Sequence, residues 1–244
     1  MAFTTEDYRL LLQQLLDSGY QFVDYQTVVA GERHVIMRHD VDMSLEFARR
    51  LAQVEAELGV RAIYFVLISG SLYNPLSSES RSHLDAIAAL GHQIGLHFDA
   101  SIYAGDRDSL DRAVRKELSA LGTLVEQPSP IISFHRPAKV LLGDGNRFGN
   151  CEHTYMPKFF KDIGYCSDSR GQWFYQHPLE HESVKAGTAL QLLTHPVWWC
   201  GYRAEAPVSL LDRLTFDRMD VFRTELARNC EIYRKEMLNH LSGG

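Results

Sequence analysis

Apolar and polar positions along this chain recur in two periods, one near 3.6 residues and one of short, nearly continuous runs, and the two alternate. Thr4 to Ser18 reads as a helix, opened by Thr4 and Asp7 in capping-box spacing. Within 44–58, Phe47, Leu51, Val54 and Leu58 step by three or four and predict a helix closed by Gly59. Residues 79–90 read as a helix closed by Gly91, and Leu110, Val114, Leu118 and Leu121 mark a further one before Gly122. Between these lie β-type runs: HVIMRHDVD (34–42), RAIYFVLI (61–68), HQIGLHFD (92–99), IISFH (131–135), YCSDS (165–169) and ALQLLTH (189–195). A helix is predicted near 154–163, closed by Gly164. Met219, Phe222, Leu226, Cys230, Tyr233, Met237 and Leu241 put an apolar stripe on one long C-terminal helix over about 207–241, read as a core-packing face.

Strand–helix alternation predicts an α/β fold with a parallel sheet, closed or doubly wound. In either form the chemistry gathers at the carboxyl ends of the strands. Those ends read Asp40-Val41-Asp42, His97-Phe98-Asp99, His135-Arg136, Asp168 and His195-Pro196. The beginnings of the same strands carry nothing comparable, so the sorted ends read as an active-site rim.

Composition narrows the choice of partner. The 244 residues carry 25 Lys+Arg against 31 Asp+Glu, a net charge of −6, with no basic run. Nucleic acid and anionic membrane surfaces are therefore not expected partners. No apolar stretch approaches the ~20 residues of a membrane span. The N-terminal segment lacks a signal-peptide pattern, and the expected location is cytoplasmic. Cys151, Cys166, Cys200 and Cys230 form no CxxC and read as isolated thiols. Histidine, at 11 residues, is the informative type.

Asp40 and Asp42 are two apart and share a side of their strand. Two close carboxylates repel unless a cation faces one of them, so a divalent metal with one Asp as ligand and the other as base fits the pair. His97 ends an apolar strand and is the leading ligand candidate. His92 starts that strand and reads as structural, and His39 points to the face opposite Asp40. Arg136, whose fork suits a carboxylate, is expected to hold Asp40 ionised. Asp168 and His195 fit as a carboxylate and an imidazole, a pairing that raises the histidine pKa and keeps an acid protonated near neutrality.

These residues resemble a known family. RHDVD, GHQIGLHFD, HRP, SDS and LLTHP occur in the order of the five motifs of the polysaccharide deacetylases, the NodB-homology or carbohydrate esterase family 4 proteins, over about residues 33–196. GHQIGLH is similar to the family's GHEIGNH, and the subgroup most resembled is the WbmS-like deacetylases of bacterial lipopolysaccharide and O-antigen biosynthesis. The resemblance implies a distorted (β/α)7 barrel, with an added N-terminal helix and the C-terminal helix, forming a single catalytic domain over 1–244. It also implies metal-dependent removal of an acetyl group from a sugar. Three departures stand out: Val41 separates aspartates that are adjacent in the family, Ser101 occupies the second histidine position of HxxxH, and HRPAK replaces RPPxG. The third ligand is then His135 or Asp99. His135 is favoured because it preserves an Asp-His-His set suited to zinc, with cobalt, nickel or manganese as alternatives.

The expected reaction is acyl hydrolysis. Asp42, His97 and His135 hold the metal, Asp40 oriented by Arg136 is the base, and His195 tuned by Asp168 is the acid. Trp198, Trp199 and Tyr202 follow in a loop that offers a stacking surface for a sugar ring. The expected substrate is an acylated amino sugar or precursor, such as a nucleotide-linked acetamido sugar. Rival readings are a haloacid-dehalogenase-like phosphatase with Asp40 as nucleophile, a non-catalytic sugar-binding barrel, and a DxD glycosyltransferase.

Overall fold

In the computed structural model, residues 3–173, 176–200 and 206–242 are described, with side chains to 236. The elements in chain order are α1 (Thr5–Asp17), β1 (Gln21–Val23), β2 (His34–Val41), α2 (Leu45–Glu57), β3 (Ile63–Leu67), α3 (Ser78–Ala89), β4 (Gln93–Phe98), α4 (Arg107–Leu121), β5 (Ile131–Phe134), β6 (Glu152–His153), α5 (Pro157–Phe160), β7 (Gly164–Ser167), α6 (Glu182–Ala186), β8 (Leu190–Thr194) and α7 (Pro196–Cys200). Local chemistry explains the helix starts: Thr4, Ser44, Ser77 and Asp106 each accept a backbone N–H of the first turn through the side chain.

The strands pair in the order β6-β5-β4-β3-β2-β8-β7, with β1 added on β2, and every pair is parallel. No ladder joins β6 to β7 among the described residues, so the seven-strand sheet is a half-open barrel flanked by helices. This is the distorted (β/α)7 arrangement expected from the sequence. Tyr25, Ile36, Phe65, Ile131, Met156, Phe159 and Ile163 form a continuous buried cluster. Parallel strands buried on both faces read as unbroken apolar runs, which is why the strand sequences show little alternation.

Two strands escaped the sequence reading, and three expectations are corrected. β1 and β6 were not read, being three and two residues long. The helix placed at 154–163 is the single turn α5, and Gly164 does not close it but begins β7, donating its N–H to the Ala189 carbonyl at 2.9 Å. The loop after His195 is the helix α7, with Trp198 and Trp199 buried, while Tyr202 lies outside the described residues. The C-terminal helix is two helices, α8 (Pro207–Asn229) and α9 (Glu231–Ser242), parted at Cys230, whose backbone is extended (φ −133°).

The chain divides into two compact units, Met1–Gly201 and Tyr202–Gly244. In the second, Phe222 is 65% exposed, and Met219 and Leu226 are also exposed, so this part of the stripe read as a packing face is open rather than buried; the side chains of Met237 and Leu241 lie outside those described. Among the described residues no helix is long and apolar enough to cross a membrane.

One glycine fixes the spacing of β3, β4 and β5. A Cβ at Gly95 would stand 2.7 Å from Cδ1 and Cε1 of Phe65 and 3.2 Å from the Ile131 carbonyl oxygen. Phe65 is fully buried and its ring has no room to retreat. Gly95→Ala is expected to lower stability by about 1–3 kcal/mol through overpacking, read as a drop in thermal midpoint; an unchanged midpoint would show that the barrel tolerates the extra methyl.

Candidate metal centre and active site

The strand ends converge as the alternation required. Arg38, Asp40 and Asp42 are at period two along β2 and just past it, and so face one side. His97 lies in β4. His135, Asp168 and His195 each follow the last residue of β5, β7 and β8. The pairing of His97 with Ser133 sets β4 beside β5 and brings His135 next to His97.

Three donor atoms form a triangle. Oδ1 of Asp42 is 3.1 Å from Nε2 of His97 and 3.2 Å from Nδ1 of His135, and the two nitrogens are 3.2 Å apart. These three residues are the one group of metal-binding type found among the described residues. Ligands ~2.0–2.1 Å from a tetrahedral zinc stand about 3.4 Å from one another, close to these edges. Nδ1 of His97 sits 3.3 Å from the Ser133 carbonyl; an N–H there leaves the Nε2 lone pair facing the triangle. Asp42 Oδ1 is buried without a hydrogen-bond partner. Lone pairs and a carboxylate oxygen aimed at one point repel unless a cation lies among them. The residues therefore fit a divalent ion with an N,N,O donor set. Burial pushes the Asp42 carboxyl up, but His135 and His97 outweigh it and hold it well below the usual carboxylate range.

Asp40 stands beside the triangle, its Oδ2 3.7 Å from Nε2 of His97. Its partner is Arg38, not Arg136. Nε and Nη2 of Arg38 donate to the two Asp40 oxygens at 3.0 and 2.8 Å, and the Ser133 hydroxyl lies 3.1 and 3.2 Å from them. Burial raises the Asp40 pKa, yet Arg38 and then His97 bring it below its ordinary value. The guanidinium of Arg38 also reaches Ser133 Oγ at 2.6 Å and the Tyr155 hydroxyl at 3.1 Å, and lies 4.8 Å from the Tyr155 ring centre. Arg136 instead is 71% exposed and donates from Nη2 to Asp99 Oδ2 at 2.8 Å. Asp99 also accepts the N–H and hydroxyl of Ser101, and it is not in the triangle.

On the other flank, Nδ1 of His195 meets Asp168 Oδ1 at 2.6 Å, and its Nε2 lies 3.9 Å from Asp42 Oδ2. Asp168, fully buried, further accepts the backbone N–H of His195 at 3.1 and 3.0 Å and the indole N–H of Trp199 at 2.7 Å. Burial would lower the His195 pKa; the Asp168 charge more than reverses this and raises it to about 9. Trp199 is thus a second donor to Asp168 rather than a surface for sugar.

His39 and His92 are on the far side, as read. Nε2 of His39 contacts Glu55 Oε1 at 2.6 Å and its Nδ1 contacts Thr194 Oγ1 at 2.8 Å. His92 contacts the Ala52 carbonyl and receives the Ala62 N–H. Arg38, Ser133 and Tyr155 were not anticipated, and neither was the role of Trp199 as a donor to Asp168. Of these only Arg38 left a signal, its place two residues before Asp40.

No family model and no curated protein sequence matches the chain. Among solved structures it is similar to the Bdellovibrio bacteriovorus peptidoglycan deacetylase at 18% identity, over 82% of this chain and 54% of that one, with a TM-score of 0.43. It thus spans about half the length of that protein. It is similar to a family 4 carbohydrate esterase from Bacillus anthracis at 14% identity, over 90% and 93% of the two chains, with a TM-score of 0.44. A carbohydrate esterase family 4 pseudoenzyme from Bacillus anthracis matches at 13% identity, over 78% and 63%, with a TM-score of 0.42.

The geometry separates the two third-ligand candidates. His97→Ala and His135→Ala are expected to weaken zinc binding by more than about 100-fold, beyond the 10–100-fold typical when only a ligand's supporting partner is lost. Asp99→Asn is expected to retain zinc. Elemental analysis of dialysed protein decides it, and full zinc content in His135→Ala would remove His135 from the set.

Proposed function

We propose that the chain is a metal-dependent hydrolase that removes an acyl group, acetyl in the first instance, from an amino sugar or sugar precursor. The observation that carries the reading is the Asp42–His97–His135 triangle, with an ionised carboxylate on one flank and a carboxylate-held imidazole on the other. The order of motifs through residues 33–196 supports the sugar class and, more finely, a role like that of the WbmS-like proteins in surface polysaccharide synthesis in the cytoplasm. The phosphatase alternative gives Asp40 a task but none to the converging ligands.

A divalent ion held by Asp42, His97 and His135 would supply Lewis-acid polarisation of the acyl oxygen and a water pKa lowered by several units. Asp40, kept ionised by Arg38 across the pH range of ordinary carboxylates and above, receives the proton of the attacking water. Its orientation is fixed, because Arg38 and Ser133 hold both of its oxygens. His195 gives its Nε2 proton to the departing amine or hydroxyl, and Asp168 keeps that proton in place at neutral pH. The carbon–nitrogen or carbon–oxygen bond to the acyl group breaks, water's oxygen joins the acyl carbon, and the products are a free sugar amine or alcohol and a carboxylic acid.

Acetate release from a panel of acetamido and acetylated sugars, abolished by a chelator and restored by zinc, tests the reading; phosphate release from sugar phosphates without acetate would replace it. The acid role has its own test. Activity needs His195 protonated, so the alkaline limb of kcat falls as pH rises through about 9. Asp168→Asn removes the charge that raises this pKa, and the limb is expected to move to lower pH. His195→Ala is expected to keep its metal and lose roughly 10²–10⁴-fold in kcat, with a smaller loss on activated aryl esters. Equal losses on both substrates would exclude the acid role.

A further inference from the structure

A cavity of about 380 Å³ opens beside the metal centre, between the loops that follow β4 and β5. Leu110, Leu141 and Phe148 form its apolar floor, and Val140, 79% exposed, stands at its mouth. Two guanidiniums face it from different walls. Arg107 comes from the first turn of α4 and lies 5.6 Å from the Phe148 ring centre. Arg136 is the residue directly after the triangle's His135.

Arg136 carries the argument. Its backbone is left-handed, at φ 46°, a strained conformation for a non-glycine residue that persists only where the surroundings hold it. The buried Asp99 carboxylate grips one terminal nitrogen at 2.8 Å and leaves the rest of the fork exposed. A guanidinium so anchored, with donors still open, is preorganised for an anion with several oxygens. The cavity's carboxylate, Asp144, is engaged in its own turn, where Oδ1 accepts the backbone N–H of Asn146 at 3.0 Å and its amide at 2.6 Å.

We propose that this cavity binds the diphosphate and the adjoining apolar part of a glycosyl diphosphate, so that the sugar end lies at the metal centre. The inference rests on the acyl-hydrolase reading for the sugar and on the cavity alone for the diphosphate. Two arginines on separate walls suit a linked pair of phosphates, whereas a lone carboxylate would use only one. The apolar floor between them suits a group that follows the phosphates, either a nucleoside or a prenyl chain, and a cavity of this size lies within the range that holds small ligands.

The test is titration of zinc-free protein with uridine diphosphate and with geranyl diphosphate, in wild type, Arg107→Ala and Arg136→Ala. At least one probe is expected to bind, and each substitution is expected to weaken it roughly 10- to 100-fold. Which probe binds identifies the nucleotide or the lipid source. Binding of neither, or binding unchanged in both variants, overturns the proposal. In the zinc enzyme, the ratio of kcat/KM for a uridine diphosphate-linked or prenyl diphosphate-linked acetamido sugar to that for the free sugar is expected to fall in the same variants. Acetate release that shows no preference for any diphosphate-linked sugar would overturn the cavity's role and leave the hydrolase standing. Arginine-dependent diphosphate binding without acetate release from any sugar would do the reverse.

Discussion

A fully buried guanidinium sits in the middle of this barrel, and much of the site follows from it. Arg38 has no exposed surface, and taking one such charge out of water costs several kcal/mol. The cost is offset only if the donors are met. Asp40 takes two of them, Ser133, Tyr155 and Gln191 lie against the others, and the rings of Phe65 and Tyr155 stand within cation–π distance. Those partners come from β2, β3, β5 and β8 and from the segment after β6. The pair thus ties opposite sides of an open barrel together at the level where the ligands project. Removing either member leaves the other charge buried without its counter-charge, so the same contact that orients Asp40 also fixes the strands that carry the candidate metal ligands.

The other face of β2 is also tied to a buried carboxylate. His39, one residue on, points away from the barrel interior to Glu55 of α2, which is fully buried and also accepts the hydroxyls of Tyr8 at 2.6 Å and Tyr64 at 2.5 Å. Burial raises the Glu55 pKa, and His39 brings it below its ordinary value, so the carboxylate stays charged between α1, α2 and the sheet. Thr194, bonded to the other nitrogen of His39, immediately precedes His195. Strand β2 is therefore pinned by a buried carboxylate on each face, Asp40 inside and Glu55 outside. Its neighbour β8, which carries the candidate acid, is tied to the outer pair through Thr194 and to the inner one through Gln191.

The strand and helix order was legible because burial writes itself as period. What escaped were elements too short to show one: β1, β6 and the single turn of α5, which Pro157 opens. PVWWC was misread as a loop because a buried helix of five residues has no polar face to mark it. The C-terminal stripe misled in the opposite sense. Its period runs through Cys230, but the backbone there is extended, and period alone does not say what covers a face. The residues of the triangle were legible since ionisable residues at the ends of apolar runs have few structural uses. Arg38 and Ser133 lie inside their strands, where a polar residue facing the barrel looks like one facing solvent until the neighbouring strand is known.

The two arginines show how one exchange reshapes a site. The sequence offered Arg136 as the partner of Asp40, since it follows His135 on the rim. The barrel instead places that partner on Asp40's own strand, two residues before it, where the pleat sets both on one face. Arg38 can reach Asp40 with Nε and Nη2 together, a fork geometry that needs no loop to hold it. Arg136 is then released from the interior. Its left-handed backbone turns it outward onto Asp99, which lies outside the triangle. Ser101 bonds Asp99 and lines the same cavity as Arg136. The three features thus belong to one arrangement: the partner of Asp40 lies inward along β2, the second nitrogen of the triangle stands just past the end of β5, and the rim there carries an anchored positive charge facing a cavity.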